Sequence, residues 1–175
     1  MTVSSNKSRE IIMAIVKPSF TRIWAFFSEI NVPVKDVGKK IGGNVQANIE
    51  SGVFQNACPI RMSYALNKVG ILIPSGKKFA VVSGADKKQY MYRVNDMIQF
   101  LEETLGKPDV TIKSPKESDF KGKKGIIVFS GSGWANARGH VTLWDGAVCS
   151  DACHFMASPE NGSFIPEKGF LWSLA

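Results

Sequence analysis

The stretch GVFQNACPIRMSYALNKVG, residues 52–70, places a cysteine directly before a proline, where an amphipathic helical pattern begins. Apolar side chains recur four, seven, eight and eleven residues after Cys58, which is one face of an α-helix. Pro59 suits the first turn of a helix, and Gly70 suits its end. The pattern therefore predicts a helix that begins at Cys58.

Helical patterns dominate the first part of the chain, and extended patterns dominate the last part. Ser19 can cap a helix at the start of the domain. Another helix is predicted over 94–105 and ends at Gly106. Residues 39–52 predict a short helix followed by turns. Strands are predicted within residues 77–84, 125–131, 139–146 and 163–174. The segment 139–146 alternates between two faces of a strand, with His140 and Thr142 on the same face. Helices first and strands afterwards predict an α+β domain, with helices packed on a mostly antiparallel sheet.

The length of 175 residues predicts one domain spanning residues 1–175. Residues 1–17 are expected to be a loosely ordered leader. Their apolar core, IIMAIV at 11–16, is too short for the central region of a secretory signal peptide. No apolar run reaches the ~20 residues that a membrane span requires, so neither a Sec signal nor a membrane span is expected.

The net charge of +7 favours a partner that carries many negative charges, such as nucleic acid or the anionic bacterial cell wall. The lysine pairs are scattered along the chain, and no basic run interleaves with aromatic residues as in a groove for single strands. Solvated surface charge is the simpler interpretation, and nucleic acid is not the expected partner.

The residues able to carry chemistry are few, and they allow two kinds of site. CSDACH, residues 149–154, offers two cysteines and a histidine, but structural zinc favours four ligands from separate knuckles. Nucleophilic catalysis fits better, because a helix N-terminus favours the thiolate form of a cysteine. Cys58 would be the nucleophile, and His140, on a predicted strand, its base.

The base needs an acceptor that orients its ring, and both Asp145 and Asp151 follow it in the sequence. Each residue also has a purely structural interpretation. Cys58 can be core packing, His140 a half-buried histidine and Asp145 a turn residue. Cys149 and Cys153 can be free thiols or a bridge. His154 is expected to be structural.

Three motifs together resemble the type VI secretion amidase effectors of the fourth family. They are FQNACPIRMSYALNKVG at 54–70, GHVTLWDG at 139–146 and CSDAC at 149–153, preceded by VKDVGKKIGGNV at 34–45. The resemblance runs from about residue 18 to the C-terminus. It implies a papain-like fold of the NlpC/P60 type and a cysteine amidase that needs no metal or other cofactor.

The implied substrate is the peptidoglycan stem peptide, cleaved between γ-D-glutamate and meso-diaminopimelate. The resemblance implies Cys58 as nucleophile, His140 as general base, Asp151 as third member and a Cys149–Cys153 bridge. Gln55 or Asn56 would complete an oxyanion hole with the Cys58 amide, because Pro59 has no N–H to donate.

The resemblance also implies a route and a partner. Such a toxin is made in the cytoplasm, delivered by the type VI machinery and active in the periplasm of the target cell. A cognate immunity protein would block it, and the basic charge of this chain predicts an acidic partner. Two alternatives are a cysteine hydrolase that deamidates protein side chains and a non-enzymatic basic binding module.

Overall fold

The computed structural model describes residues 15–175. Most of the predicted leader, residues 1–14, therefore lies outside the described residues. Lys17, at the end of that segment, forms an ion pair with Asp109 at 3.1 Å and donates to the Ser173 carbonyl at 3.1 Å. Within residues 15–175, no helix has the length and apolar character that crossing a bilayer requires.

Five α-helices occupy the first two thirds of the described chain. They are α1 (Phe20–Ile30), α2 (Val34–Ile41), α3 (Gly43–Glu50), α4 (Cys58–Lys68) and α5 (Val94–Leu105). Ser19 caps α1 by accepting from the Arg22 amide at 3.5 Å, and α4 begins at Cys58 with Pro59 in its first turn. The predicted starts of both helices are confirmed. Two short 3₁₀ turns, Glu117–Phe120 and Pro159–Asn161, follow later in the chain.

Within residues 15–175, six strands form two sheets, and every pairing between them is antiparallel. The strands are β1 (Val81–Ser83), β2 (Gln89–Met91), β3 (Val110–Lys113), β4 (Gly125–Ser132), β5 (Gly139–Trp144) and β6 (Ile165–Ser173). The first two pair with each other, and the other four form a sheet in the order β3-β6-β4-β5. The predicted α+β class is confirmed, and β5 is an edge strand of the larger sheet.

The four-stranded sheet is covered on both faces, and the first five residues of β4 and all of β5 are buried. Ile126, Val128, Val141 and Leu143 pack with the helices in one apolar cluster. Ile127, Phe129 and Trp144 pack with Phe155 and Phe164 in another on the opposite face. The alternation predicted for β5 is therefore correct, although all six of its residues are buried. The helices α1, α4 and α5 belong to the first cluster, which joins Cys58 to the sheet.

Residues 39–52 differ from the prediction of one short helix followed by turns. They contain the end of α2 and the whole of α3, joined at Gly42 and Gly43. Both glycines have positive φ, +70° and +59°, a backbone conformation that ends one helix and lets the next begin in a new direction. β1 is also shorter than the segment 77–84, and β2 and β3 had no clear sequence pattern.

We predict that Gly43→Ala destabilises the fold more than Gly52→Ala. Both positions have positive φ, so an alanine at either costs about 1–2 kcal/mol in backbone strain. At Gly43 a Cβ would also lie 2.6 Å from the Gly84 carbonyl carbon, whereas at Gly52 it would meet nothing within 4 Å. Overpacking of this kind adds ~1–3 kcal/mol. Urea unfolding measures both variants, and equal free energies of unfolding would contradict the close packing of α3 on the β1–β2 turn.

Candidate functional site

Cys58 is the first residue of α4, and it is fully buried. Its backbone N–H donates to the Asn56 Oδ1 atom at 3.1 Å. The Asn56 side chain thus provides an acceptor for one of the amides that have no partner within the first turn of the helix. Further along the helix, the Ser63 hydroxyl donates to the Pro59 carbonyl and accepts from the Met91 amide. These bonds tie the helix that carries Cys58 to β2, and Cys58 is the free cysteine of the described chain.

His140 and Asp151 form a largely buried pair, with side chains that are 10% and 12% exposed. His140 Nε2 donates to Asp151 Oδ1 at 2.9 Å, and the same oxygen accepts from the Ala152 amide at 2.6 Å. The Cys58 side chain lies near enough to the His140 ring to raise the pKa of His140. Because Asp151 holds Nε2, the other ring nitrogen, Nδ1, is the one left for the cysteine. The structure therefore brings Cys58, His140 and Asp151 together.

The electrostatics of this group favour a charged histidine. Burial alone would lower the pKa of His140, but the charge and hydrogen bond of Asp151, followed by those of Cys58, raise it to about 10. Burial also acts to raise the pKa of Asp151, yet His140 and hydrogen bonds from Thr142 and the Ala152 amide bring it below its usual value. The pair is thus held as imidazolium and carboxylate at neutral pH.

The segment that carries Asp151 is fixed on both sides. The Ser150 hydroxyl bonds the Thr142 hydroxyl at 2.9 Å and accepts from the Leu143 amide at 3.3 Å, while the Ser150 amide donates to the Leu143 carbonyl. A disulfide joins Cys149 to Cys153 across a Cα separation of 5.4 Å. The loop is therefore attached to β5, the strand that carries His140.

His154 lies against the ring of His140, with centroids 4.8 Å apart and planes at 76°. Its Nδ1 is 3.0 Å from Asn161 Oδ1, and the Trp134 ring packs edge-on against its other side. Burial and the charge of His140 lower the pKa of His154 to about 4. A neutral imidazole therefore packs against the ring of His140, which is a structural role of the kind expected for His154.

The remaining candidates lie apart from the pair or serve other roles. Asp145 accepts from the amides of Ala147 and Val148, which is a turn role. Because Cys149 and Cys153 are bonded to each other, neither offers a thiolate to a metal ion.

The two candidates for the oxyanion hole flank the start of α4. Asn56 uses its oxygen on the Cys58 amide, which leaves its Nδ2 group as a donor. Gln55 is exposed, and its Oε1 accepts from Asn136 Nδ2 at 3.4 Å. The Cys58 amide itself is engaged in this structure.

Sequence reasoning did not single out Thr142 and Ser150, although both position Asp151. A signal was available for Thr142, because it lies two residues from His140 and so on the same face of the strand. No local pattern pointed to Ser150, since its role depends on where the loop returns.

We predict that Asp151→Asn lowers the pKa of His140, whereas Asp145→Asn leaves it unchanged. Removing the Asp151 charge removes the main influence that raises this pKa, while burial continues to lower it. Asp145 is the matched control, because its carboxylate contacts the turn amides. Histidine ring signals followed by NMR across pH 4–11 measure the effect.

In the wild type, the same titration should show no histidine changing charge between about pH 6 and 8, because the pKa of His140 is about 10 and that of His154 about 4. A histidine that titrates near pH 6.5 in the folded wild type would contradict the buried pair. An equal shift in both aspartate variants would contradict the assignment of Asp151 as its partner.

Comparison with known proteins places this site in a family. A family model described as "Tae4: Type VI secretion system (T6SS), amidase effector protein 4" matches residues 54–166, which include Cys58, His140 and Asp151. No curated protein gives a significant match.

Solved structures resemble the chain over nearly its whole length. The Salmonella typhimurium effector Tae4, in complex with the immunity protein Tai4 from Enterobacter cloacae, is 59% identical with a TM-score of 0.87, covering 91% of this chain and all of that one. Tae4 from Enterobacter cloacae, solved in complex with Tai4, is 57% identical with a TM-score of 0.89. The match covers 91% of this chain and all of that one. A structure of the Enterobacter cloacae effector alone is 55% identical, with a TM-score of 0.87, 93% of this chain covered and all of that one.

The family model spans more than half of the chain, and the solved relatives match both its sequence and its fold. The resemblance noted in the motifs is thereby confirmed at the level of the family. The chain belongs to the type VI secretion system amidase effector protein 4 family and is an antibacterial peptidoglycan amidase.

Proposed function

We propose that this amidase is a cysteine DL-endopeptidase of the papain-like NlpC/P60 type. It hydrolyses the bond between γ-D-glutamate and meso-diaminopimelate in peptidoglycan stem peptides. The observation that carries the proposal is the buried group of Cys58, His140 and Asp151 at the start of α4. It is the arrangement that nucleophilic catalysis by cysteine requires: a nucleophile, a base and a group that orients the base.

In the proposed reaction, the Cys58 sulfur attacks the γ-carbonyl carbon of D-glutamate, and the amide C–N bond breaks. His140 gives a proton to the leaving amine of diaminopimelate, and Asp151 holds its ring through Nε2. Water then attacks the thioester, His140 accepts its proton, and the free carboxylate and thiol are released. Because Cys58 is fully buried, substrate binding must open a path to its sulfur.

The oxyanion formed in the first step needs donors that are already oriented. We propose Asn56 Nδ2 in preference to Gln55, because the Asn56 oxygen is anchored on the Cys58 amide and its amino group is left to donate. The same bond keeps the side chain of Asn56 beside the nucleophile. Gln55 is exposed and engaged with Asn136 instead.

We predict that Cys58→Ala abolishes release of peptides that begin with diaminopimelate, a fall of more than ~10³-fold, because the covalent route is lost. The assay is mass spectrometry of purified peptidoglycan fragments after incubation with each protein. The control is Arg22→Gln, an exposed change on α1, which should keep wild-type activity if purification and stability are not the cause of a loss.

A folded Cys58→Ala protein that still releases these fragments at the wild-type rate would overturn the role of Cys58. If the wild type cleaves no fragment but deamidates glutamine side chains of proteins, the alternative of a deamidating toxin replaces the proposed substrate.

We also propose delivery by the type VI machinery, action in the periplasm of the target cell and inhibition by a cognate immunity protein. The solved relatives include complexes of Tae4 with the immunity protein Tai4. With a formal charge of +7, this chain favours an acidic partner.

We predict that the association rate with the immunity protein encoded beside this gene falls steeply as salt rises. Opposite charges steer the two proteins together, and at physiological ionic strength salt screens this attraction beyond about 8–10 Å. Stopped-flow measurement between about 20 and 500 mM NaCl (roughly a 25-fold range of ionic strength) tests this. A rate that does not change with salt would contradict the electrostatic part, and no complex at low salt would contradict the partner itself.

A further inference from the structure

A cavity of about 390 Å³ lies beside the candidate active site, and nothing above accounts for it. It is bounded by the start of α4, the start of α5 and the loop between β4 and β5. Together with the aromatic residues Tyr92 and Trp134, two arginines and three asparagines line it: Arg93, Arg138, Asn56, Asn95 and Asn136. No acidic side chain lines it.

The two arginines carry uncompensated charge. Arg93 and Arg138 are both exposed, and neither forms an ion pair with a residue in the part of the chain that the structure describes. The start of α5 faces the same space through Val94 and Asn95, and no side chain caps that helix end. Asp96, in the same turn, instead accepts from the Ala80 amide. The cavity is therefore suited to an anion.

The cavity is connected to the reacting residues on both sides. Asn56, which lines it, accepts from the Cys58 amide, and Arg138 lies two residues before His140. A ligand held here would therefore lie next to the nucleophile on one side and next to the strand of the base on the other.

The loop that carries Arg138 is supported by packing and hydrogen bonds. The Trp134 ring stacks on Phe164, with centroids 4.1 Å apart, and its Nε1 donates to the Asn161 carbonyl at 3.1 Å. This supports the wall opposite Arg93 before any ligand arrives, which reduces the entropy cost of binding.

We propose that this cavity is a carboxylate-binding subsite, in which Arg93 and Arg138 hold free carboxylates of the stem peptide. The inference rests on the proposed function. A D-glutamate linked through its γ-carbonyl keeps a free α-carboxylate, and diaminopimelate keeps one on its second amino-acid centre. The substrate therefore offers an anion on each side of the bond to be cut, and guanidinium groups pair with carboxylates in bidentate geometry.

Three synthetic stem peptides test the subsite: the parent, one with the D-glutamate α-carboxyl as carboxamide, and one with the free diaminopimelate carboxyl as carboxamide. The wild type should lose ~10-fold or more in kcat/KM on at least one amide, because a hydrogen bond to a charged group is worth about 1.5–3 kcal/mol. The carboxamide peptide with the reduced kcat/KM identifies the carboxylate that the cavity binds. Arg93→Gln and Arg138→Gln should raise KM for the parent with little change in kcat, and at least one should abolish the discrimination.

The matched control is Arg22→Gln, which removes the same charge from α1, outside the cavity. It should keep both the wild-type KM and the preference for the parent peptide. Equal kcat/KM of the wild type on all three peptides would overturn the subsite, as would arginine variants that keep full discrimination.

Binding of the same peptides to Cys58→Ala, measured by calorimetry, separates this inference from the proposed function. If the parent binds more tightly than an amide and the added Arg→Gln change removes the difference, the subsite stands even where no cleavage occurs. Equal binding of all three peptides would overturn it, while absent cleavage by the wild type would count against the proposed reaction.

Discussion

The hydrogen bond between His140 Nε2 and Asp151 Oδ1 is the interaction on which the rest of the site depends. At 2.9 Å, inside the protein, it sets which ring nitrogen remains for Cys58 and holds the imidazole in its charged form. Burial acts against both charges, so neither would persist there alone. The surrounding fold holds these two side chains at hydrogen-bonding distance.

Two separate parts of the chain must meet for that bond to form. β5 supplies His140, and the loop after it returns so that Asp151 lies beside the same strand. The Ser150 contacts with β5 anchor this return, and the disulfide from Cys149 to Cys153 encloses it. A loop closed over four residues removes little chain entropy, so the bridge acts mainly on local geometry. His154, which is neutral, packs edge-on against the ring of His140.

The helix and the sheet contribute differently to reactivity. α4 brings the sulfur to the base from a separate element, supported by its packing in the cluster that also holds Val141 and Leu143. The β4–β5 loop contributes Arg138 to the adjacent cavity. The proposed reaction would therefore take place beside a cavity that carries two arginines and no acidic side chain.

The sequence by itself determined the local features: the helix that begins at Cys58, the alternating strand with His140, the α+β class and the motifs of the family. These follow from side-chain period and turn chemistry, which act over a few residues. It left Asp145 and Asp151 as equal candidates by spacing, because both lie within reach of the strand. Only the tertiary structure decided that Asp151 returns to His140, that Ser150 and His154 support the pair, and that Arg93 and Arg138 share one cavity. Those contacts depend on how a loop returns to its strand and on how separate elements pack, which no local pattern encodes.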